Sequence, residues 1–162
     1  GTLVLAEIAA VHEQLLAEMP QNYDEAARGM VEKGATLRAV DYLQADEARC
    51  NFRDAVHELM DREGLAALAL PTLGIPVPDL GQGRVEVNGR SRAVAGILVE
   101  GTSPFSMIGL PAISLPVGQV KARPVGLQLV ARRGDDLRLL SLAQDLEDAL
   151  GGPTTHAAPE SA

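Results

Sequence analysis

The three histidines are the first side chains of this sequence whose type and spacing could support catalysis or metal binding. His12 and His57 fall within helical patterns and His156 lies near the carboxyl end, so no two of them have the spacing of a metal-binding pair. His57 has Asp54 and Asp61 one helical turn away on either side. Carboxylates at that spacing can orient an imidazole or form a helix-surface ion pair, and we favour the ion pair. We therefore expect no metal site.

The nucleophiles of the chain do not form a complete catalytic set either. Cys50, the single cysteine, lies inside a helical pattern rather than at a helix N-terminus, so we expect a structural or exposed thiol. The segment Gly101–Phe105 begins like a nucleophile elbow but lacks the closing glycine of G-x-S-x-G. A hydroxyl that caps the start of a helix explains Thr102 and Ser103 without catalysis. The only lysines, Lys33 and Lys121, adjoin no serine-rich loop. From these residues alone we assign no catalytic residue, and we expect no cofactor.

The first half of the chain is predicted to be helical. Apolar side chains recur there at three- and four-residue spacing, and the same pattern returns near the carboxyl end. We predict helices near residues 3–19, 23–33, 37–63 and 136–149. Asn22 and Thr36 are the predicted N-caps of the second and third helices. At 1.5 Å per residue the third is roughly 40 Å long, which is longer than a small domain is wide. We expect it to pack against more than this chain provides.

Strands and turns dominate the second half. The apolar run at 65–70 predicts a strand buried on both faces, and further strands are predicted near 112–117 and 125–131. A hairpin is predicted at 85–94, with Asn88-Gly89 suited to a type I′ turn. Pro116 places part of its strand at an edge or a bulge. The pattern as a whole predicts an α/β fold.

Composition limits the classes of function that the chain could have. Its 162 residues suit one domain, and its net charge of −8 argues against a nucleic-acid-binding face. Apolar residues make up 46% of the chain, which excludes a disordered protein, but no run is long enough to span a membrane. We expect a cytoplasmic protein with no nucleic-acid partner and no membrane partner.

Four motifs, in order along the second half, resemble the carboxy-terminal half of the amidase signature family. They are Leu68–Thr72, Thr102–Gly118, Pro124–Val130 and Asp136–Ala143. The helix that carries Tyr42, Ala45 and Arg49 resembles the one before the first motif. The resemblance covers roughly residues 1–150 and implies an α/β/α layered fold with a mixed sheet, in a hydrolase that cleaves linear amide C–N bonds. It predicts that residues 1–150 are an incomplete carboxy-terminal part of an amidase domain and that 151–162 form a flexible tail.

The resemblance also implies a mechanism. The family uses a Ser–cis-Ser–Lys triad and an oxyanion-stabilising loop, all in its amino-terminal half. No residue of this chain matches them, so we expect the chain alone to be inactive. The segment that approaches the family's cleft corresponds to residues 102–111, and it supplies six predicted pocket-lining residues. They are Thr102, Ser103, Phe105, Gly109, Leu110 and Pro111.

Two positions before this segment bear on the substrate. Glutamine-using relatives tend to carry an acidic residue just before the counterpart of Thr102, where it holds the substrate's amino group. Here Val99 stands three residues earlier and Glu100 two earlier, so the acid is missing or shifted. This difference favours a general amidase over a glutamine-dependent amidotransferase.

Three functional hypotheses remain open from the sequence. In the first, a missing amino-terminal half, or a self-associated copy, completes the fold, and the complete protein binds a small amide. In the second, the chain is a stand-alone, non-catalytic module for binding or oligomerisation. In the third, an enzyme of another class uses His57 or Ser103.

Overall fold

The computed structural model describes residues 1–152, which form two compact units: one spans Gly1–Ala55 and the other begins at Val56. Most of the predicted tail at residues 151–162, together with His156, lies outside the described residues. No helix within residues 1–152 combines the length and the apolar character needed to cross a membrane.

The first unit contains helices α1 (Thr2–Glu18) and α2 (Glu25–Ala35), with a 3₁₀ turn at Pro20–Asn22 between them. Helix α3 (Ala39–Arg62) begins in this unit and continues into the second. Helices α1 and α2 pack closely, because Gly34 lets the backbone of α2 approach α1. A Cβ added at Gly34 would lie 2.0 Å from the carbonyl oxygen of Leu5. The helices predicted at 3–19, 23–33 and 37–63 are confirmed, each within two residues at either end.

Both predicted caps in the first unit are wrong. Asp24, rather than Asn22, is the N-cap of α2, and its carboxylate accepts a hydrogen bond of 2.7 Å from the backbone N–H of Ala27. Asp24 is favoured because it directly precedes the first helical residue, whereas Asn22 lies in the 3₁₀ turn. Thr36 closes α2 instead of opening α3, and its hydroxyl donates to the carbonyl of Lys33 at 2.9 Å.

The second unit is built around a three-stranded sheet. Its elements are β1 (Leu68–Pro71), β2 (Arg84–Val87), β3 (Arg90–Ala93), α4 (Val94–Glu100), α5 (Ser103–Met107), β4 (Ala112–Val120), β5 (Arg123–Val130) and α6 (Asp136–Ala149). The sheet order is β1-β5-β4, and β2 and β3 form a separate hairpin. The α/β class is confirmed. The expected mixed sheet is not observed: every strand pair within residues 1–152 is antiparallel. A two-residue turn joins β4 to β5, and so short a turn permits only antiparallel pairing.

The two faces of this sheet carry two apolar clusters. Neighbouring residues of β5 alternate between them, as the pleat requires: Val130 packs with Met60 and Leu110, and Leu129 packs with Leu139 and other residues of the second cluster. Strand β1 was predicted to be buried on both faces, and this is wrong. It alternates between half-buried and exposed residues because it lies at an edge of the sheet.

Three local features refine the predicted strands. Asn88 and Gly89 have φ values of 51° and 72°, as a type I′ turn requires. The register of β4 shifts between Pro116 and Gly118, so the predicted edge or bulge position of Pro116 is confirmed. Helix α4 was not predicted, because its β-branched residues resemble a strand as much as a helix.

Candidate functional site

The segment 102–111 begins at helix α5 without the predicted hydroxyl cap. Thr102 occupies the N-cap position, but its side chain makes no capping hydrogen bond. Its φ of −106° and ψ of −40° lie in the helical region, whereas a capping side chain works from an extended backbone. The hydroxyl of Ser106 donates instead to the carbonyl of Thr102, at 3.3 Å.

The structure separates the six predicted pocket residues into different environments. Leu110 is buried and Phe105 packs against the same cluster of apolar side chains, so both contribute to the core. Gly109 is exposed with a φ of +71°, which favours glycine at the turn after α5. The carbonyl of Pro111 accepts a hydrogen bond from the N–H of Ala131 at 3.0 Å. Thr102 and Ser103 are half-buried, and the role of all six in substrate binding stays a prediction.

A buried glutamine fixes the start of this segment. Gln128 on β5 is only 3% exposed, and its Nε2 donates to the carbonyl of Gly101 at 3.0 Å. Gly101 also lies against the end of β1, since a Cβ added to it would be 3.0 Å from the carbonyl oxygen of Thr72. The backbone just before Thr102 is therefore held against the sheet.

Thr72 and Ser114 form a hydroxyl pair beside this point. Their oxygens lie 2.5 Å apart, and either can donate. The backbone N–H of Thr72 donates to the carbonyl of Gly126 at 2.9 Å. A Cβ added to Gly126 would lie 2.8 Å from the Thr72 hydroxyl and 2.9 Å from the Ser114 hydroxyl. Gly126 thus leaves the space in which the two hydroxyls meet.

A cavity of about 260 Å³ opens beside the hydroxyl pair. It is lined by Thr72, Leu73, Val77, Ser114, Leu115, Pro116, Pro124, Val125 and Gly126. Arg123 holds the loop that contributes Val77 to this lining, donating to the carbonyl of Val77 and to the carboxylate of Asp79, the latter at 2.5 Å. The lining is apolar apart from the two hydroxyls, so the cavity suits a small uncharged group that can share a hydrogen bond.

The hydroxyl pair has no activating base in this cavity. No lysine, histidine or carboxylate is among the residues that line it. A serine or threonine hydroxyl is a weak nucleophile unless such a group removes its proton. The pair can therefore donate and accept hydrogen bonds, but it lacks the partner that nucleophilic catalysis requires. Sequence reasoning did not select Thr72 or Ser114 as site residues. The available signal was a polar residue and a glycine within apolar strands.

The histidine prediction is wrong. Asp54 pairs with Arg53 at 2.9 Å and Asp61 pairs with Arg132 at 2.8 Å, so each carboxylate is bound by an arginine. The Nε2 atom of His57 is buried and makes no hydrogen bond within residues 1–152. Over the same part of the chain, no cluster of three or more histidine, cysteine or acidic side chains could hold a metal ion.

Comparison with known proteins gives a consistent result. A family profile described as Amidase matches residues 6–140. An amidase from Pseudomonas putida is 34% identical over 139 residues, which cover 83% of this chain and 28% of that enzyme. A solved structure described as an amidase superimposes with a TM-score of 0.84 at 34% identity, covering 93% of this chain and 34% of the other.

A second solved structure shows the same relation at lower identity. The structure of 6-aminohexanoate cyclic dimer hydrolase has a TM-score of 0.69 at 26% identity, and the match covers 90% of this chain and 33% of that protein. In each comparison the chain spans about a third, or less, of its relative.

Proposed function

This chain belongs to the amidase family, and we propose that it is the carboxy-terminal part of a hydrolase that cleaves the C–N bond of linear amides. The proposed part comprises residues 1–150. The observation that carries the proposal is the family match over residues 6–140, which includes nearly all of the described structure. Because the chain spans only 28% of one relative and 34% of another, we assign the activity to a protein larger than these 162 residues.

We place the nucleophile of this hydrolase outside the chain. The proposed mechanism is that of the family, in which a lysine-assisted serine relays a proton to a second serine that attacks the carbonyl. Neither Lys33 nor Lys121 lines the cavity at the hydroxyl pair, and no other lysine exists in the sequence. In this proposal the segment 102–111 and the cavity form part of the substrate-side wall.

The open edges of the sheet support the proposal that another segment pairs with this chain. Within residues 1–152, β1 and β4 each pair only with β5, so each leaves one row of backbone N–H and C=O groups unpaired in the sheet. Such edges are normally covered by another segment. We propose that the amino-terminal portion of the hydrolase covers them. A stand-alone module that pairs with a second copy is the alternative favoured by the same edges.

The residues before Thr102 support a general amidase. Val99 is apolar, and Glu100 is engaged by Arg92 through two hydrogen bonds of 3.0 and 3.2 Å. A carboxylate that is already paired with a guanidinium binds a substrate ammonium group poorly, because its charge is neutralised. We therefore propose an amide substrate other than glutamine. The predicted cytoplasmic localisation stays a prediction.

A segment exchange tests the proposal. Residues 6–140 of this chain would replace the matching segment of the Pseudomonas putida amidase, and hydrolysis of that enzyme's own amide substrates would be measured. We expect the exchanged protein to hydrolyse amides. The control is the same protein with its catalytic serine, which lies in the Pseudomonas part, changed to alanine. We expect that control to be inactive.

Two outcomes would contradict parts of the hydrolase proposal, one from the exchanged protein and one from an assay of the chain alone. A well-folded exchanged protein, judged by circular dichroism and a cooperative thermal transition, that hydrolyses no amide would contradict the hydrolase proposal. Amide hydrolysis by the 162-residue chain alone would contradict our placement of the nucleophile outside it.

A further inference from the structure

The hairpin of β2 and β3 borders a second and larger cavity. This hairpin groove has a volume of about 680 Å³ and is lined by Val87, Asn88, Arg90, Ser91, Arg92 and Glu100. The strand register places Val87 opposite Arg90 and Val85 opposite Arg92. Since directly opposed residues share a face, two arginines and two half-buried valines lie on the same side of the hairpin.

The arginines of the hairpin differ in what they bind. Arg92 is paired with Glu100 through two hydrogen bonds. Arg84 donates to the hydroxyl and the carbonyl of Ser91, both at 2.9 Å, and forms no ion pair with the described residues. The side chain of Arg90 makes neither a hydrogen bond nor an ion pair with any of residues 1–152. Its guanidinium is therefore available to a ligand in the groove.

This arrangement favours a singly charged anion. A guanidinium presents two parallel N–H donors, which match the two oxygens of a carboxylate. The paired Arg92 and Glu100 beside it add dipoles but little net charge, so the groove offers about one unit of uncompensated positive charge. A phosphate dianion would keep one negative charge without a partner among the lining residues, and it has no carbon chain to contact Val87. Val87 supplies an apolar contact for the carbon chain next to the carboxylate. An uncompensated positive charge stands out on a chain whose net charge is −8.

The groove adjoins the candidate site through the backbone. Glu100, which holds Arg92, directly precedes Gly101, and Gln128 fixes the carbonyl of Gly101 beside the hydroxyl pair. A ligand in the groove therefore lies next to the segment that leads into residues 102–111.

We propose that the hairpin groove binds the carboxylate of an organic acid with an aliphatic chain, with Arg90 as the anion-binding side chain. As a statement about substrates, this rests on the proposed function: the hydrolase would act on amides that carry a free carboxylate away from the scissile bond. The binding site itself does not depend on catalysis.

Titration of the 162-residue chain with two matched probes tests the site. Hexanoate and hexanamide have the same carbon chain and differ in charge, and inorganic phosphate provides a second anion. Chemical shifts of the arginine Nε–H groups would be followed at about 10 mM ionic strength, where screening is weak. We expect hexanoate to shift the Arg90 signal, hexanamide to leave it nearly unchanged, and phosphate to shift it less than hexanoate does.

Variants assign the effect to Arg90. Arg90→Gln should weaken hexanoate binding about tenfold or more, since a charge-assisted bidentate contact is lost. Arg90→Lys should restore part of the affinity. Arg138→Gln, which removes an exposed arginine of α6, should have no effect. Four results would overturn the proposal. Hexanoate could fail to bind, or it could bind Arg90→Gln as tightly as it binds the wild type. Hexanamide could bind as tightly as hexanoate, or phosphate could bind more tightly than hexanoate. The Arg90 chemical shifts and the hexanoate affinities do not depend on the segment exchange. The carboxylate site and the hydrolase function are therefore tested separately.

Discussion

At the residue scale, the hydroxyl pair depends on a glycine in a neighbouring strand. Thr72 and Ser114 are 42 positions apart in sequence and meet only because Gly126 carries no side chain between them. The sequence motifs included all three residues, but nothing in their spacing indicated that they touch. Strand register, which brings them together, is decided by the pairing of the whole sheet.

Substitution of Gly126 tests this packing. Gly126→Ala should destabilise the chain by about 1–3 kcal/mol, because the new methyl group would overlap both hydroxyl oxygens. Urea unfolding measures the change in the free energy of unfolding. Gly96→Ala is the matched control, since a Cβ there meets no atom within 4 Å and replaces glycine inside a helix. A Gly126→Ala variant as stable as the wild type would show that the strands are not packed as described.

At the element scale, the four longest helices were predictable, but α4 and the capping residues were not. Apolar periodicity located α1, α2, α3 and α6 within two residues. The caps were missed because two residues capable of capping, Asn22 and Asp24, lie close together, and only the exact helix start selects between them. The burial of β1 was also missed. A run of apolar residues does not reveal whether the strand lies at the centre or the edge of a sheet.

Two glycines of α2 should respond in opposite directions to alanine. Gly34→Ala should lower the free energy of unfolding by about 1–3 kcal/mol, because the new Cβ would overlap the Leu5 carbonyl. Gly29→Ala should raise it by roughly 0.5–1 kcal/mol, since the site is open and alanine favours the helix. Thermal and urea unfolding of both variants give the comparison. Stabilisation by Gly34→Ala would contradict the close approach of α1 and α2.

The turn between β4 and β5 contains backbone strain that the sequence conceals. Lys121 and Ala122 have φ values of 52° and 60°, in the left-handed region that favours glycine or asparagine. The predicted strands near 112–117 and 125–131 left a longer connection at 118–124, whereas β4 continues to Val120 and β5 begins at Arg123. Ala122→Gly should stabilise the chain by roughly 0.5–1 kcal/mol as the strain is relieved. Ala95→Gly, in helix α4, should destabilise it instead. Equal losses in both variants, measured by urea unfolding, would argue against a left-handed Ala122.

At the scale of the whole molecule, the edges of the three-stranded sheet bear on the proposal that the chain is one part of a larger hydrolase. Both of its outer strands have an open edge within residues 1–152. The sequence motifs predicted the family from four short segments. They could not reveal which strands lie at the edges, because strand order follows from tertiary pairing. The open edges are consistent with the proposal that another part of the hydrolase covers them.

The open edges predict self-association of the isolated chain. Light scattering should detect dimers or larger species at high protein concentration, since unpaired strands pair with each other. Ala69→Lys places a charge on an exposed position of edge strand β1 and should reduce the association. Ala95→Lys, exposed on helix α4, should not. A strictly monomeric wild-type chain would count against exposed edges.

The length of the native polypeptide tests the central claim most directly. The claim is that this chain is one part of an amide hydrolase whose nucleophile lies elsewhere in the same protein. Since the chain spans 28% of one relative and 34% of another, we predict a native polypeptide about three times as long. Ahead of Gly1 it should carry a lysine and a glycine- and serine-rich stretch. Intact mass and the upstream reading frame measure both properties. A native polypeptide of 17.0 kDa whose reading frame starts at Gly1 would contradict the claim.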